Sequence, residues 1–175
     1  MDAIAPVPPL VIVYRSVKYL ALRKILTIKK NEAELRKVSK PVTNFDKRLS
    51  DLIDDLFETL EATQDGAGLA APQVGVLRRV AVIDMGEEKI ELVNPEILET
   101  SGEAEFEEGC LSLPGLRGKT KRPAYVKVRA FDRHGDEYII EGTEIMGLAL
   151  VHEIEHLDGK LYSDVVEGEL WQIET

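Results

Sequence analysis

The feature that most constrains this chain is His152-Glu153-Ile154-Glu155-His156, set in a run whose periodicity predicts a helix over residues 143–157. A helix advances about 100° per residue, so residues four apart are offset by only roughly 40° and present both imidazoles to one point. That spacing, with a carboxylate next to the first histidine, suits a catalytic metal. Ile145, Met146, Leu148, Ala149, Leu150 and Val151 make the same helix apolar on nearly all sides, so it should be buried and its histidines fixed. Thr143 is the expected cap and Asp158-Gly159 the stop.

Two histidines do not complete a metal site. Beyond His156 the chain offers no further histidine and little besides Asp158, Asp164, Glu167 and Glu169, so the missing ligand is expected upstream. The sole cysteine stands there, in Glu108-Gly109-Cys110-Leu111-Ser112. Other readings of Cys110 are a small buried apolar group or the nucleophile of a Cys-His hydrolase, and the second leaves the histidine motif unexplained. A closed structural zinc site would need a fourth ligand, and the only other histidine, His134, falls in a predicted hairpin turn. The motif by itself also occurs by chance on solvated charged helices.

A length of 175 residues with 44% apolar residues fits one soluble domain. With 22 Lys plus Arg against 32 Asp plus Glu, the net charge of −10 opposes extensive nucleic-acid binding. Arg117, Lys119, Lys121 and Arg122 form the densest basic stretch, and an ordinary solvated loop is its plain alternative. One cysteine allows no internal disulfide, which favours a cytoplasmic location. The first residues lack a basic signal-peptide start, and no apolar run approaches the roughly 20 residues that cross a bilayer.

Apolar Leu49, Leu52, Ile53, Leu56, Phe57 and Leu60 recur at helical spacing, predicting an amphipathic helix within 44–63 capped by Asn44 or Asp46. Strands are expected over 79–84, 90–93, 124–131 and 137–140, the last two joined by a turn at 133–136. The glycine-rich segment 66–73 then joins helix to strand. Two helices among short, mostly antiparallel strands give an α+β domain packed around the central metal-binding helix, too irregular for a parallel doubly wound sheet. Residues 1–18 read as an N-terminal extension before a catalytic domain over 19–175. Within the extension Leu10-Val11-Ile12-Val13-Tyr14 has strand propensity, an unordered tail being the alternative.

Three ordered motifs, Gly66-Ala67-Gly68-Leu69-Ala70-Ala71-Pro72-Gln73, the Cys110 segment, and the histidine motif followed by Leu157-Asp158-Gly159, resemble the peptide deformylase family. The resemblance runs from about Tyr19 to Val166, and Leu113-Pro114-Gly115 is similar to its bacterial type 1 class. It implies metal-dependent removal of the formyl group from N-formylmethionyl nascent peptides. Cys110, His152 and His156 would be the ligands, leaving a fourth position for water. Glu153 would act as acid and base, with the Gln73 side chain and Leu111 backbone N–H as oxyanion donors. Substrate positions carried over are Gly68 and Gly109 for the peptide backbone, Ala67, Ile145, Leu148 and Ala149 for the methionine pocket, and Arg117 on the substrate side.

A thiolate with two imidazoles accepts Zn(II), Fe(II), Co(II) or Ni(II), and the resemblance implies one Fe(II) per chain, with zinc the runner-up. The chain departs from the family at Val151, where Gln is usual, and at Glu155, where Asp is usual; Glu155 is expected to pair with Arg122 beside the ligands. The short tail lacks the long basic C-terminal helix that some deformylases use at the ribosome, so ribosome contact is not expected from it. An endopeptidase, and a metal- or peptide-binding module without catalysis, are the competing readings.

Overall fold

A computed structural model of the chain describes residues 22–63, 66–86 and 88–173. The strand expectation at 10–14 lies outside them. Among the described residues are three α-helices, α1 (Ile28–Leu35), α2 (Lys47–Glu61) and α3 (Glu144–Leu157). The strands are β1 (Gly68–Ala70), β2 (Val80–Asp84), β3 (Lys89–Ser101), β4 (Ala104–Gly109), β5 (Leu116–Arg122), β6 (Tyr125–Phe131), β7 (Glu137–Thr143) and β8 (Trp171–Gln172). They form an antiparallel five-stranded sheet in the order β1-β2-β3-β6-β7 and a three-stranded sheet in the order β4-β5-β8.

The larger sheet lies between α2 and α3. Alternate residues of a strand face opposite sides, and β2 is buried on both: Val80 and Val82 join the α2 cluster with Leu52, Ile53 and Leu56, while Ala81 and Ile83 join the α3 cluster with Leu150 and Ile154. This explains a continuous apolar run where a one-sided strand would alternate. Asp46 is the cap of α2, its carboxylate accepting from the backbone N–H groups of Arg48 and Leu49. Thr143 occupies the cap position of α3, but its hydroxyl makes no capping bond.

Several sequence expectations need correction. The segment expected to be a connection between α2 and β2 is itself β1 followed by a 3-10 turn over Ala71–Val74. The expected strand at 90–93 runs on through Ser101, bulged where it pairs with β6. The basic stretch is no solvated loop: it is β5, whose alternation exposes Lys119 and Lys121 and buries Thr120 and Arg122. Cross-strand pairs Glu105–Lys121 and Glu107–Lys119 match opposite charges along β4 and β5, so charge complementarity replaces apolar alternation there.

Candidate metal centre

Helix α3 presents His152 and His156 one turn apart, with ring centroids 4.8 Å apart and planes at 81°. Their Nε2 atoms are 3.2 Å apart, and Cys110 Sγ, just past the end of β4, lies 3.2 Å from Nε2 of His156. The three donor atoms all lie within 4.8 Å of one another. Burial alone opposes ionisation of the Cys110 thiol, yet the imidazoles of His156 and His152 outweigh it and hold the thiol well below its ordinary range. Burial likewise opposes charge on His152, and Cys110 with Glu108 reverses it, raising that imidazole well above its usual value. A thiolate converging with two imidazoles is a donor set for one divalent cation with a position left open, and these residues fit it.

Behind the donors stands a charged network on β4 and β5. Glu108 Oε1 is 2.6 Å from His152 Nδ1, which puts the proton on Nδ1 and leaves Nε2 facing Cys110 and His156. Arg122 donates from Nε and Nη2 to the two Glu108 oxygens, both at 2.9 Å, and from Nη1 to Glu155 at 2.9 Å. Thr120 Oγ1 donates to Glu108 at 2.7 Å. Burial would raise the Glu108 carboxyl, but His152 and Arg122 prevail and bring it down to about 2. The Arg122–Glu155 pairing expected from the sequence is present; Glu108 as the partner of His152 was not foreseen. Its signal was available: a ligating imidazole needs an acceptor for its second nitrogen, and Glu108 stands two residues from Cys110.

Glu153 is of another kind. It is buried, and its Oε2 has no hydrogen-bond partner among the described residues. Burial pushes its carboxyl up to about 7, against the lowering effect of His152 and His156. It rests against β1 at Gly68, where a Cβ would come within 2.5 Å of Glu153 Oε1. The absence of a side chain at Gly68 thus makes room for the carboxylate.

Gln73 is fixed by its neighbours. Its Oε1 accepts from Ala70 N–H at 2.8 Å, and Nε2 donates to Ser112 Oγ at 3.2 Å and lies 3.5 Å from Cys110 Sγ. These bonds set the amide with its N–H groups toward the sulfur rather than its carbonyl.

All of this opens on one cavity of about 620 Å³. Cys110, His152, Glu153, Gln73 and Leu111 line it, and so do Ala67, Gly68, Gly109, Arg117, Ile145, Leu148 and Ala149; His156 sits behind, fully buried. Every residue expected from sequence is therefore in the cavity lining or directly behind it. Leu111 also packs against the α2 cluster. Gly109 pairs across the sheet with Arg117, whose guanidinium fills the space a Cβ on Gly109 would take. Ile173, absent from the sequence expectations, lines the cavity as well.

The chain is similar to known proteins over most of its length. The polypeptide deformylase family matches residues 22–170. A peptide deformylase of Acetivibrio thermocellus is 55% identical over 132 residues, covering 75% of this chain and 77% of its own. Peptide deformylase 1 of Bacillus subtilis is 46% identical over 150 residues, covering 84% and 91%. Among solved structures, a peptide deformylase from Legionella pneumophila superposes with a TM-score of 0.80 at 46% identity, over 84% of this chain and 87% of that one. One from Synechococcus elongatus, in complex with actinonin, gives 0.79 at 33% identity, over 83% and 79%.

Proposed function

The chain belongs to the polypeptide deformylase family, and from that membership and the geometry of the cavity we propose how its residues hydrolyse the formyl group of N-formylmethionyl nascent peptides. The observation that carries the assignment of roles is Glu153, a buried carboxyl with an orphaned oxygen beside three converging donors. Cys110, His152 and His156 would hold one divalent cation, which when bound would supply Lewis acidity and lower the pKa of a water at the site.

Glu153 takes the proton of the attacking water and later delivers it to the leaving amine, so that cleavage of the formyl C–N bond releases formate and a free N-terminus. A carboxyl poised near neutrality serves both steps. Gln73 Nε2–H and the Leu111 backbone N–H donate to the developing oxyanion. Gly68 and Gly109 offer backbone to the peptide at close range, Ala67, Ile145, Leu148 and Ala149 take the methionine side chain, and Arg117 lies on the substrate side. The ion is Fe(II), with Zn(II), Ni(II) and Co(II) as substitutes. The catalytic domain spans 19–175, residues 1–18 being an extension, and the enzyme acts in the cytoplasm. Among the described residues no helix is long and apolar enough to cross a membrane.

The test is formate release from formyl-Met-Ala by protein purified anaerobically and loaded with Fe(II) or Ni(II). Metal-dependent release is expected, and Glu153→Gln should keep one metal per chain while losing about 10²- to 10⁴-fold in turnover. Metal-loaded protein that releases no formate would be a binding module. Cleavage of unformylated internal bonds would make it an endopeptidase.

A further inference from the structure

We propose that Ile173, immediately after strand β8, is a specificity-determining residue that contacts the substrate side chain two positions beyond the methionine. The inference rests on the deformylase reading and extends it to a part of the chain outside residues 22–170, the span the family matches.

Strand β8 adds to the free side of β5, pairing Leu116 with Gln172 and Arg117 with Trp171, and the ladder continues with Ile173 N–H donating to Gly115 O at 3.0 Å. Residues directly opposite in an antiparallel pair share a face, and so do residues two apart in one strand. Gly109, Arg117, Trp171 and Ile173 therefore lie on one face, and three of them, Gly109, Arg117 and Ile173, line the cavity. The opposite face carries Leu116, which packs on the buried cluster of Leu113, Leu161 and Tyr162. Ile173 is 39% exposed and lines the cavity as an apolar side chain.

Distance selects the substrate position. Neighbouring strands are about 4.8 Å apart, so β8 stands roughly 10 Å from β4, where Gly109 adjoins Cys110. An extended peptide rises about 3.3 Å per residue and covers that span in roughly three residues. With the formyl group at Cys110 and Glu153 and the methionine side chain against Ile145, Leu148 and Ala149, the third residue of the peptide reaches β8. An apolar surface there favours an apolar third residue over a polar one.

Wild type and Ile173→Ser, both metal-loaded, would be compared on formyl-Met-Ala, formyl-Met-Ala-Ser and formyl-Met-Ala-Leu. The position is exposed enough for the serine variant to fold, and Ile173→Leu serves as the conservative control. Wild type should prefer the Leu peptide, and the serine variant should lose about five-fold in kcat/KM on it, through KM, while formyl-Met-Ala is unchanged and the leucine variant behaves as wild type. Equal losses on all three peptides, or none on any, would overturn the assignment of Ile173. Absence of formate release from wild type on every peptide would instead remove the deformylase reading beneath it.

Discussion

Glu108 holds His152 by a 2.6 Å contact to Nδ1 and is itself gripped through both oxygens by Arg122. A donor imidazole is thus oriented by a carboxylate whose own charge is neutralised within the protein. Partners of this kind contribute strongly to metal affinity, so Glu108→Ala should weaken metal binding about 10- to 100-fold. The same change leaves the Arg122 guanidinium buried with only Glu155, and should lower stability by about 3 kcal/mol. Chelator competition and denaturant unfolding measure the two effects; unaltered affinity would mean that α3 packing alone orients His152.

Gly68 provides a steric test of the Glu153 position. A methyl group there would come within 2.5 Å of Glu153 Oε1, so Gly68→Ala must push the carboxylate away from β1. The obstacle runs from Cγ to Oε1 of one buried side chain and includes no backbone, so the fold should survive with a lowered melting temperature. Turnover should fall by about ten-fold or more, since general acid-base transfer needs hydrogen-bond reach. Full activity in the alanine variant would place the working carboxylate elsewhere.

How much of this was legible in the sequence follows from what kind of force builds each part. Helices α2 and α3 could be read because burial of Leu52, Ile53 and Leu56, or of Leu150 and Ile154, imposes a 3.6-residue pattern. Strands β4 and β5 carry Glu105, Glu107, Lys119 and Lys121 on their outer positions and a buried Glu108–Arg122 pair beneath, so no apolar alternation announces them. Helix α1 escaped notice because it buries only Leu35 and is interrupted at Asn31, whose φ is −137°. In the cavity, motif residues were found and Ile173 was not, since its position depends on β8 pairing back to Leu116 and Arg117, far upstream in the chain, which periodicity does not encode.

Glu155 offers a graded counterpart to Glu108. It touches only Nη1 of Arg122, and its side chain keeps 20% exposure. Shortening it by one methylene in Glu155→Asp should break that contact while Arg122 keeps both bonds to Glu108. A loss of about 1 kcal/mol in stability is expected, with metal affinity changed by less than about three-fold. A metal-affinity loss as large as that of Glu108→Ala would show that the two carboxylates orient His152 jointly.

Tyr138 allows a pH test away from the metal donors. Its hydroxyl donates to the Glu91 carbonyl at 2.5 Å, and burial, reinforced by the charges of Glu91 and Asp132, raises its pKa from 10.0 to about 12. A folded-state pKa above the unfolded value means that the neutral phenol stabilises the fold fully below about pH 10. Between about 10 and 12 the unfolded chain releases this proton and the folded chain keeps it, so stability falls as pH rises. Below about pH 10, Tyr138→Phe should cost about 1 kcal/mol through the lost hydrogen bond. Across the alkaline window the variant lacks the titration, so the wild-type advantage should shrink with each step in pH. Denaturant unfolding of both proteins from about pH 9 to 12 measures the difference, and an advantage that stays constant would show that the phenol ionises alike in both states.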